Sequence, residues 1–146
     1  MKIQDIMSAD PTTVTPDTPI TEAARIMKDH NIVMLPVVES EGSRRLVGVV
    51  TDRDITIRHV AEGHTRDCPV REAMTDKVST AKPDENIDSL MNLMGEEQVR
   101  RIPIVDERGD LVGVVSQADI VLEAGDSLKA EKTVEKISRP YGKHAD

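Results

Sequence analysis

LVGVVTDRDI, residues 46 to 55, returns at an offset of 65 as LVGVVSQADI, residues 111 to 120, with seven of the ten positions identical. Each phrase is a short apolar run of strand length, then a hydroxyl residue, then an acidic residue three positions on. A strand that ends on Thr51 or Ser116 and a helix that begins there explain both halves of the phrase. Its recurrence says that the chain is duplicated.

The duplication extends well beyond these ten residues. Ile6-Met7 reappears as Ala73-Met74, Pro16-Asp17 and Ile20 as Pro83-Asp84 and Ile87, and Met27 as Met94. Leu35-Pro36-Val37 reappears as Ile102-Pro103-Ile104. All these pairs are offset by 67, and the offset falls to 65 after the prolines. The first copy therefore carries two extra residues in ESEGSRR (39–45) relative to DERGD (106–110), where a turn between strands tolerates them.

Each copy is read as strand, helix, strand, strand, helix. Thr13-Val14-Thr15 and Val78-Ser79-Thr80 are the expected first strands. Pro16-Asp17-Thr18-Pro19 and Pro83-Asp84-Glu85-Asn86 supply turn and helix-start chemistry. Ile20, Ala23, Ala24 and Met27 then recur at helical spacing, as do Ile87, Leu90, Met91 and Met94. MLPVV with LVGVV, and RIPIV with LVGVV, read as hairpins across a Gly-containing turn. The expected organisation is repeat 1 over residues 1–62, a linker GHTRDCP over 63–69, repeat 2 over 70–124 and a tail over 125–146. Copies of about 55 to 60 residues have little core of their own, so the two are expected to pack together on their hairpin faces. In the tail, Ala130, Val134 and Ile137 form a helical stripe that Pro140 ends, either a surface helix packed on the body or a partner-binding segment.

Composition narrows the function. The chain has 146 residues, 38% hydrophobic and 32% charged, as in ordinary globular domains. Its net charge of -8 argues against nucleic acid as the main partner, which needs a basic surface. One tyrosine, Tyr141, and no Phe or Trp cannot build a base-stacking platform. Apolar runs fall short of the roughly 18 residues of a membrane span, and MKIQDIMSADP, acidic and without an apolar core, is not expected to act as a signal peptide. A single cysteine, Cys68, forms no internal disulfide, so the expected compartment is the cytoplasm. Met7, Met27, Met74 and Met94 are read as core.

The Thr51–Asp54 and Ser116–Asp119 junctions admit two readings. One is a capping box, in which hydroxyl and carboxylate satisfy backbone N–H groups at a helix start. The other is a ligand site. A helix N-terminus presents free N–H groups to phosphate, and a carboxylate accepts hydrogen bonds from the vicinal hydroxyls of a ribose. Gly48 and Gly113 allow close backbone approach or serve a bulge.

Gly48-Val49-Val50-Thr51-Asp52-Arg53-Asp54 and Gly113-Val114-Val115-Ser116-Gln117-Ala118-Asp119 resemble the G-h-h-T/S-x-x-D signature of CBS domains, where h is hydrophobic. Leu35-Pro36-Val37 and Ile102-Pro103-Ile104 match the family's h-P-V/I segments, and the resemblance covers about residues 3 to 124. It implies an α+β fold of two β-α-β-β-α repeats packed with pseudo-two-fold symmetry as a Bateman module, with two clefts. It implies a regulatory rather than catalytic module that requires no cofactor and binds AMP, ADP, ATP or S-adenosylmethionine. The motif Asp would hold ribose and the motif Thr or Ser would lie near phosphate. A homodimer through CBS–CBS packing, and regulation of a separate, unidentified protein, are further implications. Standalone pairs occur in bacteria and archaea, some linked to stress or hypoxic responses.

The ligand set so implied is Thr13, Thr15, Met34, Pro36, Thr51, Arg53, Asp54, Thr80, Arg101, Pro103, Ser116 and Asp119. The two sites should differ. Arg101, preceded by Arg100, is matched by Met34 and Val33, and Arg53 by Ala118. A cleft holding Thr51, Asp54 and Arg101 would be the better phosphate site; alternatively the three arginines are solvated charges paired with Glu96, Glu97 or Asp52. Thr13, Thr15 and Thr80 line the clefts in the family, or merely favour strand.

Two other classes compete with a nucleotide sensor. One is a partner-binding regulator with empty clefts. The other is a metal-binding dimer using His59, His64 and Cys68, whose residue types suit zinc but whose spacing fits no standard motif. His30 at a helix end and His144 in the tail have no recognisable partner.

Overall fold

The computed structural model describes residues 1–124 and 128–139. Five strands and five helices follow one another: β1 (Ser8–Ala9), α1 (Ile20–His30), β2 (Met34–Val38), β3 (Leu46–Thr51), α2 (Asp52–Ile55), α3 (Ile87–Glu97), β4 (Arg101–Val105), β5 (Leu111–Ser116), α4 (Gln117–Ala124) and α5 (Leu128–Ser138). Single turns of 3-10 helix lie at Ile3–Asp5 and Val70–Glu72, and a widened π turn at Thr56–Val60 continues α2. The fold is α+β, as expected. None of the described helices is long and apolar enough to cross a membrane.

The chain forms two compact units, Pro11–Val78 and Met1–Asp10 with Ser79–Asp146. In the first unit β2 and β3 pair antiparallel, with Met34 opposite Thr51 and Leu35 opposite Val50. Val14 bridges Val37 in parallel at one edge, and Thr75 bridges Val49 at the other. The second unit repeats this plan. β4 pairs antiparallel with β5, Arg101 opposite Ser116, Ala81 bridges Ile104 in parallel, and β1 closes the far edge through Ser8–Val114 and Ala9–Gly113. Both hairpins carry a bulge before their last pair, at Val37/Val38 and Ile104/Val105.

The expected strand Thr13-Val14-Thr15 reduces to Val14 alone. In the second copy the pairing residue is Ala81, not Val78-Ser79-Thr80. Ala81 is the apolar residue at the offset of 67 and is buried, whereas Thr80 is exposed. Burial selects the position; the β-branched residues beside it pointed one step too early.

The edge segments show what the repeat pattern hides. Residues 1–10 complete the second repeat and residues 68–77 complete the first. Ile3, Gln4 and Ile87 bond to Glu85, Pro83 and Met1, just as Val70, Arg71 and Ile20 bond to Thr18, Pro16 and Cys68. The end of the expected linker is therefore structural. Asp67 caps α1 by accepting from the Thr21 amide at 3.2 Å and the Thr21 hydroxyl at 2.7 Å, because Pro19 at the N-cap has no side-chain acceptor.

Each unit has its own aliphatic core. Val14, Ile20, Ala23, Met27, Leu35, Val37, Val50, Cys68, Val70 and Ala73 fill the first. Ile87, Leu90, Met91, Met94, Ile102, Ile104, Val115 and Ile120 fill the second, joined by Ile3, Ala130 and Ile137. Ala24 on α1 is exposed. Met27 and Met94 are buried, and Met7 and Met74 are half-buried against the two cores. In the tail, α5 buries Ala130, Thr133 and Ile137, with Val134 half-buried, and Gln98 donates to the Lys136 carbonyl at 3.0 Å. Pro140, Tyr141 and His144 lie outside the described residues.

Candidate functional site

Each hairpin delivers its motif in extended backbone. Thr51 leaves β3 at φ -112°, ψ 165° and caps α2. Its hydroxyl accepts the Asp54 amide at 3.0 Å, and the Asp54 Oδ2 accepts the Thr51 amide at 3.0 Å. The second unit reproduces this box. Ser116 Oγ accepts the Asp119 amide at 3.2 Å, and Asp119 Oδ2 accepts the Ser116 amide at 2.8 Å. The capping reading is thus correct for both junctions, and both carboxylates sit where a helix start favours negative charge.

The cap leaves Asp54 with acceptors to spare. A carboxylate offers about four lone-pair sites. Oδ2 uses one on the Thr51 amide, and Oδ1 accepts the Thr75 hydroxyl at 3.4 Å. Arg58, one turn on, stands 4.0 Å from Oδ1, while its Nη1 donates to the carbonyls of Ala73 at 3.0 Å and Met74 at 2.8 Å. The Asp54 side chain is 14% exposed. This is a braced carboxylate with capacity for further donors, which is what recognition of a diol requires.

Arg58 and Thr75 were not among the residues picked from sequence. Arg58 had a local signal, since it lies four residues after Asp54 on one helical face. Thr75 had none, because the segment that brings it to β3 comes 24 residues after Thr51. Gly48 explains how it gets so close. A Cβ at Gly48 would lie 2.6 Å from the Thr75 carbonyl oxygen, and one at Gly113 would lie 2.9 Å from that of Ser8. The glycines serve close approach of these edge segments, next to the bulges.

The other candidate residues divide between the units. In the first, Met34, opposite Thr51, and Pro36 are buried in β2, and the Pro36 carbonyl accepts the Val14 amide at 3.1 Å. Thr13 and Thr15 are half-buried, and the Thr15 amide donates to Thr18 Oγ1 at 3.0 Å. Arg53 is exposed in the turn after Thr51. In the second unit Pro103 is buried, Thr80 is exposed, and Arg101 is exposed across the ladder from Ser116. Among the described residues, Arg53, Arg100 and Arg101 form no ion pair with Glu96, Glu97 or Asp52. Arg101 is a solvated cation beside the second motif.

A separate cluster lies in the first unit. His59, His64 and Cys68 each place a donor atom within 4.8 Å of the others'. Burial pushes the Cys68 thiol above its ordinary range, and its hydrogen bond to Glu72 adds to that.

The family model "CBS domain" matches residues 3–59 and 70–126. CBS domain-containing protein YhcV of Bacillus subtilis is 37% identical over 136 residues, which cover 93% of this chain and 94% of that protein. The crystal structure of Hypoxic Response Protein I with two coordinated zinc ions is similar at 35% identity and a TM-score of 0.75, covering 84% of this chain and 98% of that one. A CBS domain pair solved with 5′-methylthioadenosine and S-adenosyl-L-methionine matches at 34% identity and a TM-score of 0.76, over 86% of this chain and 96% of that one.

Proposed function

The chain belongs to the CBS-domain family, and from that membership we propose that it is a non-catalytic sensor that takes an adenosyl ligand at its Thr51–Asp54 and Ser116–Asp119 turns. The observation that carries this reading is the Asp54 carboxylate, mostly buried and braced by Thr51, Thr75 and Arg58, yet with lone pairs left for two more donors. The two adenosyl compounds held by the related domain pair share an adenosine whose ribose presents such a diol. An aliphatic protein without Phe or Trp would hold the adenine between apolar side chains and backbone amides. Arg101 is the cation assigned to ligand phosphate, a role Met34 cannot play in the first repeat. The motif carboxylates are read as acting by binding: each spends one oxygen on a helix start and keeps acceptor capacity for a ligand.

We infer a homodimer as the working form, regulating a separate protein. In support, the helices after both motifs carry exposed apolar residues at equivalent positions, Ile57 at 47% and Leu122 at 81% exposure. Val60 and Val121 extend these faces.

The test is calorimetry of the full chain with AMP, ADP, ATP, 5′-methylthioadenosine and S-adenosylmethionine, repeated on Asp54→Ala and Arg101→Ala. Selective binding that Asp54→Ala abolishes supports the reading. Loss of discrimination between phosphorylated and uncharged ligands in Arg101→Ala supports its role. Heats indistinguishable from dilution for all five refute the adenosyl reading and leave a partner-binding regulator.

A further inference from the structure

The helix that starts at Asp54's cap does not end as an ordinary α-helix. Over Thr56–Val60 it widens, with amide bonds reaching back five residues: Ala61 to Thr56 at 2.8 Å and His64 to His59 at 3.2 Å. Such widened turns are uncommon and recur at functional sites. Gly63, at φ 75°, then reverses the chain and brings His64 back beside the helix. The His59 and His64 rings meet edge to face at 5.5 Å, and His64 Nδ1 lies 3.8 Å from Cys68 Sγ. His59 Nδ1 is buried and has no hydrogen-bond partner among the described residues. A buried polar nitrogen left unsatisfied is rare and costly, and each instance calls for an explanation.

We propose that His59, His64 and Cys68 form a binding site for a zinc-class divalent cation in the first unit. Two imidazoles and a thiolate are the donor set of zinc and not of magnesium or calcium, which select oxygen. Tetrahedral coordination at zinc bond lengths places ligand atoms about 3.3 to 3.8 Å apart. The Cys68–His64 pair is already there, and the 4.8 Å limit on the trio leaves about 1 Å of side-chain adjustment. Water or a carboxylate from a nearby side chain would complete four-coordination, and the Cys68 Sγ also lies 3.7 Å from the Arg66 carbonyl. Arg66 pairs with Glu72 at 3.4 Å, and Asp67 adds a further negative charge beside His59.

The ligands come from elements that matter to the nucleotide motif. His59 lies on the same continuous helix as Asp54 and Arg58. Cys68 belongs to the segment whose Asp67 caps α1 and whose own carbonyl accepts the Ile20 amide at 2.8 Å. An ion held by both ties the end of the motif helix to the start of α1. The proposal stands apart from the adenosyl reading, since none of its ligands is a motif residue.

The experiment is a cobalt(II) titration of the metal-free, reduced full chain, followed by zinc displacement and measurement of bound zinc per chain. One equivalent per chain, an intense tetrahedral visible band and a sulfur-to-cobalt charge-transfer band are expected. Cys68→Ser should remove the charge-transfer band. Because Cys68 is core, His64→Gln is the second variant: His64 is exposed, so this protein folds, and its zinc affinity should fall at least about 100-fold. His30→Gln, a control at the end of α1, should bind as wild type. A weak octahedral cobalt spectrum, or equal zinc affinity for wild type and a folded His64→Gln, overturns the proposal.

Discussion

Gly48→Ala tests whether the edge segment around Thr75 is held as tightly as its hydrogen bonds imply. The new Cβ would meet the Thr75 carbonyl oxygen at 2.6 Å, so that oxygen must recede by about 0.8 Å to reach ordinary contact at 3.4 Å. Thr75 cannot recede freely. Its carbonyl accepts the Val49 amide at 2.9 Å, and its amide donates to the Val49 carbonyl at 2.8 Å. Moving it breaks or stretches both bonds, at about 0.5–1.5 kcal/mol each. The resulting 1–3 kcal/mol matches the usual cost of overpacking, about 1–3 kcal/mol. For a chain of this length that lowers the melting temperature by roughly 4–10 °C. Gly113→Ala should cost less, because its worst contact is the flexible Met7 sulfur and the Ser8 oxygen lies farther off, at 2.9 Å. Urea unfolding gives the stability, and amide exchange of Val49 and Thr75 gives the location. Stability within about 0.5 kcal/mol of wild type, the background for surface changes, with both amides still protected, would refute the account of why glycine stands there.

Asp54→Asn keeps one acceptor for the Thr51 amide but loses the charge, so it should cost only about 0.5–1.5 kcal/mol of stability. Adenosyl affinity should fall about 100-fold or more as two charge-assisted bonds weaken; equal affinity by calorimetry would leave Asp54 as a cap alone. The Thr21 hydroxyl, and then its amide, hold the Asp67 carboxyl below the usual carboxylate range. The folded pKa being the lower, this stabilisation is present above the unfolded value, near about 3.9, and is lost as pH falls through the folded one. Thr21→Val should flatten the acid limb of the urea-midpoint profile, at and below the unfolded carboxylate value, and an unchanged profile contradicts the assignment. Asn31 ends α1 in the left-handed region at φ 53°, so Asn31→Gly should be neutral or stabilising by up to about 1 kcal/mol in thermal unfolding. Ile57→Glu with Leu122→Glu should convert the proposed dimer to a monomer in sedimentation, and an unaltered mass places the interface elsewhere.

The division between what sequence reveals here and what it conceals follows the range of the interactions. The hairpins were legible because MLPVV/LVGVV and RIPIV/LVGVV are adjacent in the chain and apolar on the faces they bury. The caps were legible because Thr51–Asp54 and Ser116–Asp119 act within one helical turn. Helix α1 was legible in its Ile20, Ala23, Met27 stripe, while Ala24 shows that an alanine at the right spacing need not be buried. Ala81 was missed because a single bridging residue has no period, only a need to be buried. The largest concealed feature is the exchange of edge segments. Residues 68–77 complete the first repeat and residues 1–10 the second, the backbone bonds of Val70, Arg71 and Ile20 recurring at an offset of 67 in those of Ile3, Gln4 and Ile87. A repeat alignment pairs Ile3 with Val70 and Met1 with Cys68 but cannot say which hairpin each segment joins, since both hairpins present the same edge. The consequence reaches the site. Thr75, which braces Asp54, is numbered with the second repeat and works in the first. The brace on one motif therefore depends on the chain beyond the linker, which is why a first repeat cut at residue 62 would lose both the Thr75 hydroxyl and the carbonyls that hold Arg58.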